Sequence, residues 1–315
     1  MKNRRNEYDV TDSIKTTDPD AVSEEARRIY AEWYEAPGAG NLVRPFQDFA
    51  ALYRGENPNY FACDTGYHDM QHVLDVTLAM VRLLDGYQRV GREPLDERIF
   101  RLGIILALYH DSGYIRHRKD TRHQQGAEYT LTHVSRGGLY LRNYLPQLGM
   151  ADLAPIAERL VHYTGFEVPV HKIRLPDPIF KVIGNLLGTA DILGQMSDRC
   201  YLEKCHERLY PEFVAGGIAV RDNGSGEKHV VFESGADLVM KTPGFFRHAE
   251  DRLDNTLDAA HRYAEKHFEG KNLYIEAVEN TVGYARTLTK SEDMARLRRL
   301  APETANAEPV KPESD

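Results

Sequence analysis

Apolar positions recur at helical spacing along most of the chain. DPDAVSEEARRIYAEWYEA reads as an amphipathic helix starting near Asp20 or Ser23, and LVRPFQDFAALYRG as a second, shorter one. YHDMQHVLDVTLAMVRLLDGY is apolar over much of its circumference, through Val73, Val76, Leu78, Ala79, Met80, Val81, Leu83 and Leu84, as a buried helix is. LDERIFRLGIILALYHDSGY follows, with Asp96 as its predicted N-cap and Gly113 as its predicted stop. HQQGAEYTLTHVSRGGLYLRNYL and DLAPIAERLVHYTG continue the series. In LPDPIFKVIGNLLGTADILGQM, Asp177 caps and Pro178 takes the first helical position, and the helix is expected to run on through YLEKCHERLYPEF.

One region departs from this period. GIAVRDNGSGEKHVVFE has two β-prone runs flanking NGSG, which predicts a hairpin over about 217–232. GFFRHAEDRLDNTLDAAHRYAEKHF returns to helix, with a further segment to about Leu288. Residues 1–18 are polar and expected to be disordered, as is the tail 301–315, rich in Pro, Glu and Ala. No internal repeat or convincing linker interrupts residues 19–300. The expected fold is therefore all-α, one helical domain with N- and C-terminal helical extensions and a small hairpin.

Five polar residues break this pattern. They are His68 and His72, the adjacent His110 and Asp111 where an apolar helix ends, and Asp191 inside another apolar helix. An unpartnered polar or charged group in such surroundings costs several kcal/mol. On one helix, His68 and His72 would share a face, with Asp75 near the same stripe. Adjacent residues on a helix diverge by about 100°, so His110 and Asp111 can serve different ligands. Imidazole and carboxylate together suit divalent transition metals, which would compensate the burial.

Composition narrows the partners. The 315 residues are 42% hydrophobic and 28% charged, ordinary for a soluble globular chain. A net charge of −8 disfavours a nucleic-acid polymer but allows a small anionic substrate if a metal supplies local positive charge. Cys63, Cys200 and Cys205 form no disulfide or zinc framework and fit a reducing cytoplasm. No run of about 18 apolar residues predicts a membrane span, and no apolar segment behind MKNRRNEYDV predicts secretion. Homo-oligomerisation is left open.

YHDMQHVLDV, YHDSGY and TADILGQM, in that order, resemble the HD-domain metal-dependent phosphohydrolase superfamily, whose pattern is His…His-Asp…Asp. The Y-H-x-x-x-H-x-x-D-V run is similar to the catalytic segment of cyclic nucleotide phosphodiesterases. The resemblance covers about residues 60–210, the expected catalytic core of an HD-type helical bundle. It implies His72, His110, Asp111 and Asp191 as ligands to one metal, with Asp111 bridging to a second. It implies His68 as general acid, and His123 and His162 as further second-metal ligands; His117 and His133 are less persuasive by position. The implied cofactor is one or two divalent ions, of Mn, Mg, Zn, Fe or Co, and the implied reaction is hydrolysis of a phosphoester or phosphodiester of a nucleotide or cyclic nucleotide by metal-activated hydroxide.

Asp75 is expected to orient a histidine, and Gln195, with Asp198, to line the pocket one face on from Asp191. Arg116, Arg118, Lys119 and Arg122 form a basic cluster after the His-Asp pair that could attract phosphate or simply be a solvated loop. Tyr67 and Tyr109 are expected to pack. Asp69 stands where the phosphodiesterases usually carry Asn, and SGYIRHRKD follows Asp111 without their His-Pro-Gly. Two other readings stay open: a di-iron HD-type oxygenase, which needs His123 and His162 as full ligands, and a catalytically silent HD module that binds a ligand or protein.

Overall fold

Asp18, ahead of both Asp20 and Ser23, starts the first helix. In the computed structural model its side chain accepts the N–H of Asp20 at 3.0 Å, and Pro19 opens α1, Pro19–Tyr30. The structure describes residues 4–35, 38, 40–91, 94–222, 228–291 and 293–303. Helix α2, Val43–Tyr53, follows. Asp69 caps α3, Met70–Val90, by accepting the N–H of His72 at 2.9 Å, and Gly91 ends it at φ 67°. Asp96 caps α4, Glu97–Tyr109, as expected, accepting from Ile99 at 2.9 Å.

The stretch from His123 folds differently from its predicted continuous helix. Residues Gly126–Tyr129 make a single 3-10 turn, and α5 begins only at His133, running to Tyr144. Helix α6 spans Ala154–Leu160. Helix α7, Pro178–Ser197, starts as predicted on Asp177 and Pro178. It does not run on: Asp198 turns extended, at ψ 130°, and accepts the N–H of Cys200. The chain resumes as α8, Tyr201–Lys204, a π-helical turn over Cys205–Leu209, and α9, Tyr210–Ala215.

Strands β1, Val220–Asp222, and β2, Lys228–Val230, pair antiparallel inside the predicted hairpin, with Val220 opposite Val230. The NGSG connection lies outside the described residues. Helices α10, Gly235–Asp251, α11, Tyr263–His267, and α12, Leu273–Ser291, complete the chain. The fold is all-α with one two-stranded hairpin. Among the described residues no helix is long and apolar enough to cross a membrane, and all three cysteines are unpaired and buried.

Helix α3 is the axis of the core. It packs against α1, α4, α7 and α11, so it is wrapped by helices on several sides, and 18 of its 21 residues are buried. That enclosure explains its near-continuous apolar sequence. Helix α12 packs on α7 and α10.

The N-terminal segment corrects the expectation of disorder from 1 to 18: from Arg4 onward it is packed. Tyr8 and Lys15 form a β-bridge, and Val10 and Thr16 are buried. Asp9 accepts the N–H groups of Ser13 and Ile14 and pairs with Arg82 of α3 at 2.6 Å. Arg82 is fully buried, so the polar arm orders because it supplies the counter-charge that the core helix needs. At the other end, Arg208 donates to the carbonyl of Pro302 at 2.6 Å, and residues 304–315 of the expected disordered tail lie outside the described residues.

Burial raises the Asp9 pKa, but Arg82 and the Ile14 and Thr11 donors outweigh it and hold the carboxyl below its ordinary value of 3.8. A group lowered on folding contributes stability above its unfolded pKa and loses it as pH falls through the folded one. Asp9→Asn should therefore cost about 3–5 kcal/mol at neutral pH by leaving Arg82 unneutralised. In urea denaturation the gap to wild type should narrow below about pH 4. Equal unfolding midpoints at neutral pH would disprove this role.

Candidate metal centre

Three close backbone approaches assemble this site. Gly194 of α7 lies against Val76 of α3: a Cβ there would stand 2.9 Å from the Val76 nitrogen. Val76 is one turn from His72 and Gly194 about one turn from Asp191, so this contact carries the two ligand candidates together. Gly113 lies under α5, where a Cβ would stand 1.8 Å from the His133 carbonyl oxygen, and Gly137 meets the His110 carbonyl oxygen at 2.7 Å from its built Cβ. Here the expected helix stop is chiefly a docking surface for α5.

The result is a cluster drawn from three helices and one helix end. His72 Nε2 and His110 Nε2 lie 3.2 and 3.1 Å from Asp111 Oδ2, and both lie 3.8 Å from Asp191 Oδ1. Two ligand atoms on one tetrahedral ion with bonds of about 2.05 Å stand about 3.3 Å apart. The observed spacings bracket that value. His72, His110 and Asp111 are buried, and Asp191 is partly so. His133 Nε2 lies 3.7 Å from the other Asp111 oxygen, Oδ1.

Hydrogen bonding fixes which nitrogen of each ring faces inward. His110 Nδ1 donates to the Ala107 carbonyl at 2.8 Å, and His133 Nδ1 to the Thr130 carbonyl at 2.7 Å. Each ring therefore presents Nε2 to the cluster. His110 Nε2 and Asp111 Oδ2 are both buried without a hydrogen-bond partner. Two lone pairs facing each other in a buried site need a cation between them, so these residues fit a divalent metal. A proton meets the same need: burial lowers the His110 pKa, but Asp111 outweighs it and pushes it up to about 9. Burial opposes ionisation of Asp111, yet His110, His72 and His68 hold its carboxyl well below the ordinary range.

His68 sits just ahead of α3, not on it, because Asp69 is the N-cap. It still abuts the cluster, its ring 5.6 Å from that of His72. Its Nδ1 meets Glu212 Oε2 of α9 at 2.5 Å, and Glu212 Oε1 accepts the Tyr67 N–H at 2.5 Å. Burial lowers the His68 pKa, but Glu212, with Asp111 and Asp191, outweighs it and raises it above its usual value. His68 and His133 both stack on the Tyr114 ring, at 4.5 and 4.3 Å. Burial depresses the His133 pKa.

Other expected site residues stand elsewhere. His123 pairs with Asp120 at 3.1 Å, and its ring lies tilted against Tyr129 at 4.3 Å. His162 lies in the 3-10 turn Val161–Tyr163 that follows α6, with its Nδ1 buried and without a hydrogen-bond partner. His133 stands beside Asp111 Oδ1 at the start of α5, which begins ten residues later than the sequence pattern suggests. Asp75 reaches no histidine among the described residues. It lines a small cavity with Arg4, Tyr8, Asp9, Gln71 and Asp198, where burial and Asp198 push its pKa well up against the pull of Lys204. The Gln195 side chain makes no hydrogen bond among the described residues. Arg116 and Arg118 cover the Phe61 ring at 4.6 and 5.1 Å, a surface arrangement, and Tyr67 and Tyr109 pack as expected.

Glu212 and His133 had little or no local signal as site residues. Comparison with known proteins adds a family: the model described as Npun_R2479-like matches residues 49–284, about three quarters of the chain. The chain belongs to the Npun_R2479-like family. No curated protein and no solved structure matches it. The Npun_R2479-like segment contains every residue of the cluster, together with His68 and Glu212.

The geometry separates the candidate ligands. In Mn²⁺ titrations, Asp111→Ala should abolish binding and His133→Ala should weaken it by about 10–100-fold. His123→Ala should bind as wild type does. A loss in His123→Ala equal to that in His133→Ala would overturn the assignment.

Proposed function

We propose that this chain is a metal-dependent phosphohydrolase of HD type, cleaving a phosphoester or phosphodiester bond. The observation that carries the reading is the pair of orphaned buried atoms, His110 Nε2 and Asp111 Oδ2, facing His72 and Asp191, with His68 and its Glu212 carboxylate alongside. His72, His110, Asp111 and Asp191 would hold the ion, and His133 with Asp111 Oδ1 offers donors for a second. A divalent ion held there supplies Lewis-acid polarisation of a phosphoryl oxygen and an activated nucleophile near neutral pH.

The remaining chemistry belongs to the chain. Glu212 favours the protonated form of His68 through Nδ1, which leaves Nε2 to deliver a proton to the departing oxygen. Tyr114 holds the imidazole plane by stacking, and the Tyr67 amide fixes the carboxylate. A nucleotide or cyclic nucleotide is the substrate class the sequence resemblance favours. His123, on which the oxygenase reading relies, pairs instead with Asp120.

Elemental analysis of the purified chain, joined to a screen of cyclic mono- and dinucleotides, nucleoside monophosphates and simple phosphodiesters, tests the reading. Metal-replete protein inert across that panel would favour a binding module instead. His68→Ala should retain metal and lower kcat by about 10²–10⁴. Because Glu212 raises the His68 pKa, Glu212→Gln should lower it. The alkaline limb of the kcat/KM profile, where the donor loses its proton, should then move to lower pH. A limb that does not move would sink the proton-donor role.

A further inference from the structure

The loop from Tyr163 to Glu167 is fastened on two sides of the centre. Glu167 accepts the N–H groups of Val134 and Ser135 at 3.1 and 3.3 Å, at the start of α5 beside His133. Gly165 packs against Val134, whose Cγ2 would lie 2.6 Å from a Cβ there. On the other side, the Tyr163 carbonyl oxygen lies 2.5 Å from a built Cβ on Gly188, one turn before Asp191. The loop thus bridges the helix carrying His133 and the helix carrying Asp191.

Phe166 at its tip is 80% exposed. Arg252 opens the π-helical turn Arg252–Thr256, a distortion frequent at functional sites. Its Nη2 donates to the carbonyls of Tyr163 at 2.6 Å and Gly165 at 3.1 Å, and its guanidinium covers the Phe166 ring at 4.4 Å. Its Nε is buried without a partner. Among the described residues no carboxylate lies within ion-pair distance of Arg252, and Asp191 is the one whose charge reaches it. If Asp191 holds a cation, the guanidinium is left with carbonyl partners alone.

A cation without an ion-pair partner and an aromatic ring open to solvent therefore stand together at the edge of the centre. We propose that Arg252 and Phe166 form a specificity subsite for an anionic substrate whose organic part is a planar ring. The guanidinium attracts the anion, and the ring stacks on Phe166, whose electron-rich face the arginine already orders. This rests on the phosphoester reading of the adjacent cluster and adds to it the shape of the group that the ester carries.

Phenylphosphonate and methylphosphonate test this, because neither can be hydrolysed and they differ only in the ring. In calorimetric titration of the full-length chain with Mn²⁺, phenylphosphonate should bind about 10-fold tighter. Phe166→Ala should erase that preference and leave methylphosphonate unchanged. Arg252→Gln should weaken both about 10-fold. Arg252→Lys, which keeps the charge, should recover part of the methylphosphonate affinity, separating a charge effect from loosening of the loop. Equal binding of the two phosphonates by wild type, or a preference that survives Phe166→Ala, would overturn the subsite. Failure of the hydrolase reading shows elsewhere, as metal-free protein or no turnover of phenyl phosphate, with the phosphonate preference still measurable.

Discussion

Helices of ordinary sequence pack 8–10 Å apart, held off by their side chains. The centre requires closer approach at three points, and glycine supplies each. At Gly194 the α3 backbone itself fills the space of a Cβ; at Gly113 the α5 backbone does; at Gly137 the His110 carbonyl does. None of these glycines has a left-handed backbone, so close contact rather than turn geometry explains them. Move α7 out by one methyl group and Asp191 leaves His72. Move α5 out and His133 leaves Asp111. The ligand geometry is thus a consequence of backbone contact, and the imidazoles and carboxylates are cargo on it.

Close packing creates the electrostatic problem that the site then uses. Excluding water from His72, His110 and Asp111 removes the solvent that would otherwise satisfy them, and the protein leaves two of their atoms without partners. At several other places the same fold pairs buried charge internally. Asp9 neutralises Arg82, Asp198 neutralises Lys204 at 2.7 Å, and Asp85 takes His267, Arg89 and Trp33. The contrast matters because it shows that this chain provides counter-charges where it needs rigidity. At His110 and Asp111 the two unpartnered atoms instead face each other at 3.1 Å, an arrangement that a cation between them would satisfy.

Legibility followed the range of the interactions. Asp96, Asp177 and Pro178 announce helix starts because capping is local, and His72, His110, Asp111 and Asp191 stand out because a polar residue in an apolar run is visible in one dimension. His133 was discounted through an error of boundary: HQQGAEYTLTHVSRGGLYLRNYL reads as one helix, which makes His123 its opening residue. The capping box of Gln125 and Glu128 starts only a 3-10 turn, and the true helix starts at His133. Asp75 shares a helical stripe with His72 but faces the N-terminal arm, whose packing depends on a buried arginine pair that no local pattern shows. Glu212 lies 144 residues from His68, beyond the reach of any periodicity.

The two histidines against Tyr114 show how burial alone leaves function undecided. His68 and His133 stack on the same ring and sit near the same Asp111 charge. His133 gives its Nδ1 proton to a neutral carbonyl, so burial wins and its pKa falls, leaving a lone pair on Nε2. His68 gives its Nδ1 to a buried carboxylate, so charge wins and its pKa rises. One ring's pKa falls and the other's rises, and the partners that set them apart are the Thr130 carbonyl and the Glu212 carboxylate. Glu212 reaches His68 only because α7 stops at Asp198 and the chain turns back through α8 and α9. The break that the sequence pattern hides is therefore the feature that gives the two rings opposite shifts.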